Sequence, residues 1–265
     1  MLKLYCIYLI EGDKNMKLGA QFFTLREKNK TLEGLYNSFA EMKKIGYQIA
    51  QMSATCQIEP ERLKSYSDEF EMPITCTHSP FDRIVNDTEK LIKEHIIYGC
   101  PVIGLGSMPN EYRNSIEGAR TFLKAIEDPM KKIEAAGLRF AYHNHAFEFD
   151  DLGGACSYDI LIEESPSLNF ILDTYWFKYA DRSYLDYIKF LGNARLINVH
   201  FKDMLTSPKG PICPCGKGTI DFAPVVKLCD ELNIPNALVE QDNAPDLGDE
   251  YEQMATSFNN LKHLF

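Results

Sequence analysis

The sequence is poor in positive charge, has no long apolar run, and lacks the compact motifs that mark several common chemistries. Its 28 Lys and Arg against 38 Asp and Glu leave a net charge of -10 and a pI near 5.1. Nucleic-acid binding needs a concentrated basic face, and none is visible, so no nucleic-acid partner is expected. Leu4 to Ile10 is apolar but too short to span a bilayer, and Glu11-Gly12-Asp13-Lys14-Asn15 follows it where a signal peptide would carry a small-residue cleavage site. No membrane association and a cytoplasmic location are expected. A Gly-x-Gly-x-x-Gly turn after the first strand is missing, which argues against an open doubly wound sheet. No His-Glu-x-x-His segment occurs. Cys6, Cys56, Cys76, Cys100, Cys156, Cys213, Cys215 and Cys229 are scattered and mostly lie in apolar runs, as reduced core thiols do. No disulfides are expected. Cys213-Pro214-Cys215, with no second pair, is a poor zinc or cluster site and is read as part of a rim loop.

What is present is repetition of a βα unit. At 265 residues, 45% hydrophobic and 12% aromatic, the chain has the size of one α/β barrel. Residues 1–15 read as an N-terminal extension, and Met16 opens a more strand-like start, so residues 16–265 are taken as a single (β/α)8 barrel domain. Strands are expected at Lys17 to Phe22, Tyr47 to Met52, Ile74 to His78, Val102 to Leu105, Arg139 to His143, Asn169 to Asp173, Leu196 to His200 and Ala237 to Glu240. Helical periodicity marks Leu32 to Ile45, Pro60 to Glu69, Asp87 to Tyr98, Ser115 to Ala136, Tyr158 to Glu164, Tyr184 to Leu191, Phe222 to Leu232 and Glu250 to Leu264. Gly46 and Gly137 stand just past two of these helices, where a left-handed residue ends the turn.

Four apolar runs end on groups able to bind a metal. The run Leu138 to Tyr142 leads through His143-Asn144-His145 to Glu148, and the later runs stop on Asp173, His200 and Glu240. In a parallel barrel the carboxyl ends of all strands share one face, where active sites of this architecture lie. Three carboxylates and one imidazole suit Mn²⁺, Mg²⁺ or Co²⁺, with Zn²⁺ also compatible. Each residue taken singly has a plainer reading, the glutamates as rim acids and the histidine as a satisfied structural group.

Tyr142-His143-Asn144-His145-Ala146-Phe147-Glu148-Phe149, Leu172-Asp173-Thr174-Tyr175-Trp176, Val199-His200-Phe201-Lys202-Asp203, Gly216-Lys217-Gly218-Thr219-Ile220-Asp221-Phe222 and Val239-Glu240-Gln241-Asp242 together resemble the sugar phosphate isomerase/epimerase family, whose members are xylose isomerase-like TIM barrels. The resemblance runs from Met16 to the C-terminus. It implies a divalent-metal-dependent isomerase or epimerase of a sugar or sugar phosphate, in carbohydrate metabolism, working by proton transfer through a metal-bound enediolate. It also implies Glu148, Asp173, His200 and Glu240 as metal ligands, with Glu148 and Glu240 doubling as the catalytic acid and base. Such chemistry requires one carboxylate to remove a C–H proton and another to supply one.

Ketose 3-epimerases of this family carry a histidine three residues after the aspartate ligand and an arginine shortly after the histidine ligand. This chain has Trp176 and Thr206 there, which leaves the sugar open. Trp176, the single tryptophan, is a candidate for stacking on a sugar face. Lys202 is a candidate for holding an anionic group of the substrate, with an ion pair to Asp203 as the plainer alternative. His78 and His143 are further substrate-binding candidates, His145 a weaker one, and Glu111 reads as a surface acid. An inosose dehydratase-like lyase on the same site is the nearest alternative function, and a non-catalytic sugar-binding barrel is another. A DNA-repair endonuclease on this barrel would need more histidines than the chain offers. The substrate is thus expected to be a small sugar or its phosphate, and homo-oligomerisation is left open.

Overall fold

Eight short strands pair in parallel in sequence order and close on themselves, the last beside the first. A computed structural model describes residues 16–265, so the extension assigned to residues 1–15 lies outside the described residues. The barrel strands are β1 (Lys17–Gln21), β2 (Ile49–Met52), β3 (Ile74–His78), β4 (Val102–Leu105), β5 (Arg139–His143), β6 (Asn169–Asp173), β7 (Leu196–Phe201) and β10 (Asn236–Val239). Between β7 and β10, β8 (Asp203–Met204) and β9 (Ile212–Cys213) form a separate antiparallel pair. The helices are α1 (Leu32–Ile45), α2 (Pro60–Glu69), α3 (Phe81–Asn86), α4 (Thr88–Tyr98), α5 (Ile116–Ala135), α6 (Ser157–Glu164), α7 (Thr174–Tyr179), α8 (Tyr184–Arg195), α9 (Ala223–Glu231) and α10 (Glu250–Leu261). None of them is long and apolar enough to cross a membrane.

Strand alternation sorts the side chains into two sets. Phe140 and Tyr142 of β5, Phe170 and Leu172 of β6, Val199 of β7, and Ala237 and Val239 of β10 join the large apolar layer between strands and helices. The interposed residues face the barrel interior, where Cys76, Val102, Ala141 and Ile171 form a small second cluster, joined by Ile197 at the register shift between β6 and β7. Two positions beyond Ala141 stands His143, and two beyond Ile171 stands Asp173. Asn198 leads in the same way to His200 and then Lys202, and Leu238 to Glu240. The parity that buries the apolar plug therefore delivers a polar layer directly above it.

The expected strands all form, with ends moved by one or two residues at β1, β2, β7 and β10. The helix expected over Asp87 to Tyr98 forms as α4 with Asp87 at its N-cap, and a further short helix, α3, precedes it. Neither α7 nor the β8/β9 pair is marked in the sequence pattern. α7 has only six residues, Thr-Tyr-Trp-Phe-Lys-Tyr, too few and too uniformly aromatic to show a helical period, and it forms because Asp173 caps it through the N–H groups of Tyr175 and Trp176. The seven cysteines among the described residues are free thiols.

Candidate metal centre

His143, Asp173, His200 and Glu240 are buried at the carboxyl ends of β5, β6, β7 and β10, and one ligand-capable atom from each lies within 4.8 Å of every other. Each carboxylate has one oxygen committed to the scaffold. Asp173 Oδ1 accepts from the backbone N–H of Tyr175 (2.9 Å) and Trp176 (3.2 Å), and Glu240 Oε1 accepts from Gln21 Nε2 (2.9 Å). Asp173 Oδ2 and Glu240 Oε2 are left facing the cluster.

The imidazoles are oriented in the same manner. Gly106 O lies 3.0 Å from His143 Nδ1, which must therefore be the protonated nitrogen, and this aims Nε2 at Asp173 Oδ2 (3.3 Å) and Glu240 Oε2 (3.9 Å). A side-chain Cβ at position 106 would stand 2.9 Å from His78 Nδ1, so glycine lets the β4 loop approach these rings. His200 sets Nε2 2.9 Å from Gln51 Oε1 and Nδ1 2.9 Å from Glu240 Oε2. Burial lowers the His200 pKa despite the Glu240 charge, so this ring tends to be neutral. A neutral ring carries one proton for these two neighbours, so its other nitrogen keeps a lone pair that an ion can use. The donor set therefore fits a divalent ion, and with two imidazoles it fits a borderline ion better than an all-oxygen set would.

One internal cation is already present. Lys202, next inward-facing residue after His200, places Nζ 3.0 Å from Asp173 Oδ2, 3.0 Å from Glu240 Oε2 and 3.0 Å from Asp242 Oδ1. Burial opposes its charge, but the three carboxylates outweigh burial and hold its pKa well above the ordinary lysine value. In return, Lys202 and His200 hold the Glu240 carboxyl well below the usual range against the upward push of burial. For His143 too, burial is overcome by Asp173 and Glu240, and its pKa is raised.

Glu148 is buried but is not one of the four grouped residues. Its Oε1 accepts from the Tyr142 hydroxyl at 2.5 Å and its Oε2 from the His145 backbone N–H at 2.8 Å. Burial raises its pKa to about 7, with those two bonds pulling the other way. The structure thus brings together three of the four sequence-derived ligand candidates, Asp173, His200 and Glu240. His143, assigned in the sequence analysis to substrate, completes the group. The signal was available: His143 is the last residue of its strand, as Asp173 is of β6, whereas Glu148 lies five positions further on.

Of the other candidates, His78 packs its ring 5.0 Å from that of His143 and 5.5 Å from that of His200, with Nε2 buried and unpaired. Trp176 lies 5.3 Å from His145 and 5.5 Å from the Lys202 ammonium, and Trp176 Nε1 and His145 Nδ1 are likewise buried without partners. The Lys202–Asp203 ion pair weighed from the sequence does not form, because consecutive strand residues point to opposite sides. Instead Asp203 accepts four backbone N–H groups, from Met204 and Ile220 on Oδ1 and from Gly216 and Gly218 on Oδ2. A Cβ at Gly218 would sit 2.3 Å from Met204 O and 2.4 Å from Asp203 Oδ1, which accounts for the glycine. Cys213 and Cys215 are both buried away from the four-donor group, and burial raises the Cys213 thiol to about 12. Gln21, Gln51 and Asp242 were not assigned roles from sequence, since nothing in a lone amide or a second acid near a strand end separates it from a rim residue.

A closed parallel barrel with buried ligand-capable groups at the carboxyl ends of four strands defines a TIM barrel with a candidate metal centre. Residues 39–261 match the sequence pattern of the xylose isomerase-like TIM barrel family, and the chain belongs to that family. Comparison with curated proteins gives no match. Among solved structures, the chain is similar to a sugar phosphate isomerase/epimerase from Parabacteroides distasonis, with TM-score 0.77 and 18% identity over 93% of this chain and 98% of that one. An L-ribulose 3-epimerase gives TM-score 0.71 and 14% identity over 94% of each chain. The probable 3-DHS dehydratase AsbF from Bacillus anthracis gives TM-score 0.73 and 11% identity over 93% of this chain and 99% of that one. At such identities the likeness establishes the shared fold.

Proposed function

We propose that the protein is a divalent-metal-dependent isomerase or epimerase of a sugar or sugar phosphate. The observation that carries this reading is the convergence of His143, Asp173, His200 and Glu240, each buried, on one point at the carboxyl ends of four strands. His143, Asp173, His200 and Glu240 would hold the ion, and two imidazoles favour Mn²⁺, Co²⁺ or Zn²⁺ over Mg²⁺. When bound, the ion supplies Lewis acidity that makes a C–H beside a sugar carbonyl easier to deprotonate.

The chain's own residues divide the remaining work. Glu240, which its neighbours keep ionised, would take a proton on Oε1, the oxygen that Gln21 holds and the ion would leave free. Glu148, with its pKa near 7, can hold or release one at neutral pH, and a pair of carboxyls pushed apart in this way suits opposite roles. His78 Nε2, His145 Nδ1 and Trp176 Nε1 are free to meet substrate hydroxyls, and the Trp176 ring offers an apolar face to the sugar. Glu148 as a poised acid also favours a second reading, dehydration, in which it would protonate a leaving hydroxyl.

Mn²⁺-loaded protein should be offered a panel of ketoses, their phosphates and keto-inositols in deuterated water. Deuterium at carbon with retained mass otherwise supports isomerisation or epimerisation, and loss of water supports the lyase. Saturable binding with neither would mean a sugar-binding barrel.

A further inference from the structure

On the reading that the cluster holds a divalent ion, we propose that Lys202 is an internal competitor for that ion and that Asp242 receives its ammonium when the ion enters. The ammonium lies 3.0 Å from Asp173 Oδ2 and 3.0 Å from Glu240 Oε2, the two oxygens that also face the ring nitrogens of His143 and His200. No other carboxylate oxygen of the group is free, because Asp173 Oδ1 caps α7 and Glu240 Oε1 is held by Gln21. The ion and the ammonium therefore cannot both keep these oxygens, and two cations sharing them repel in a site shielded from water.

Asp242 is the group left to the displaced ammonium. It already contacts Lys202 through both oxygens, at 3.0 and 3.1 Å, and it is not among the four donors. The Lys202 backbone is pinned, its N–H donating to Thr174 Oγ1 at 3.2 Å and its carbonyl accepting from that hydroxyl at 2.9 Å, so the exchange would be confined to the four-carbon stem. Without an ion, the ammonium neutralises carboxylates that would otherwise stand bare and buried. With an ion, its cost is a weakened affinity.

The test is calorimetric titration of metal-stripped protein with Mn²⁺ and with Zn²⁺. Lys202→Met should bind both at least tenfold more tightly than the parent, and Asp242→Asn should bind them about tenfold more weakly. In the Lys202→Met background, Asp242→Asn should change affinity less than threefold, because the role of Asp242 passes through the lysine. An equal loss in both backgrounds would mean that Asp242 acts on the ion by charge alone and would overturn its role as acceptor. Unchanged or weaker binding by Lys202→Met would overturn the competition. Metal-free Lys202→Met should melt below the parent and gain more on Mn²⁺ saturation; if it does not fold, Lys202→Gln, which keeps a polar head, takes its place with the same expected direction. Failure of the parent and of every variant to bind either ion would overturn the metal reading itself, an outcome distinct from binding with unaltered affinity.

Discussion

Two regions of the barrel bury histidine, and they treat it in opposite ways. In the seam between α4 and β3, His95 has Nδ1 against Leu91 O (2.8 Å) and the Tyr98 hydroxyl (2.8 Å), and Nε2 against Thr77 Oγ1 (2.9 Å). At the mouth, His78 and His145 each keep one ring nitrogen buried with no partner. An unmade buried hydrogen bond costs about 1–3 kcal/mol. The seam has settled that cost within the protein, and the mouth has left it for something that binds. Burial of a histidine says little about its use; what matters is whether its hydrogen bonds are complete.

Substitutions at the mouth should therefore damage turnover far more than folding. Glu240→Gln is expected to lower turnover on the order of 10³-fold, the range of a lost acid–base group, while urea denaturation shows a smaller loss of stability, in the direction that the depressed Glu240 pKa requires. A parallel loss of both would remove the contrast.

Asp203 separates location from completeness, since it follows the site lysine directly and yet has every bond made. Asp203→Ala orphans the N–H groups of Met204, Gly216, Gly218 and Ile220 and should cost about 4 kcal/mol in urea denaturation. A loss below about 1 kcal/mol would show that water replaces the carboxylate without penalty.

The seam has its own signature in pH. Burial lowers the His95 pKa from 6.5 to about 4, so between these values the unfolded chain binds a proton that the folded chain refuses. Stability that is complete above pH 6.5 is lost as pH falls toward 4, by at most about 3 kcal/mol. Urea curves at pH 7 and pH 4.5 should show the parent losing about 2 kcal/mol more than His95→Gln, the other histidines titrating alike in both proteins. Equal losses would assign acid sensitivity to the mouth alone. The smallest effect is expected at His78→Ala, which should raise KM about tenfold at little cost to kcat, as loss of a uniform substrate contact does.

Much of this was legible in the sequence, because period-2 and period-3.6 patterns report which residues bury, and glycine past α1 and α5 marks where helices stop. The strand ends gave Asp173, His200 and Glu240 together. Less legible was the choice between His143 and Glu148. A motif gives spacing along the chain, whereas the donor group depends on strand parity and on which side chains are already occupied. Glu148 is engaged by Tyr142 and His145, an arrangement with no linear signature. The partners of Lys202 were hidden for the same reason, since Asp173 and Glu240 are distant in sequence and Asp203, adjacent, points away.

The four letters His200-Phe201-Lys202-Asp203 carry two interleaved messages. The first and third face the site, while Phe201 stacks 4.6 Å from Phe222 and Asp203 gathers the loop 216–220. A library varied across this tetrapeptide and sorted once by cellular abundance and once by activity should give alternating tracks: intolerance at 201 and 203 in the abundance sort, and at 200 and 202 only when activity is selected. A motif of this kind is retained for two unrelated reasons at once, so a relative that kept positions 201 and 203 and changed 200 and 202 would still be the same barrel, with different chemistry at its mouth.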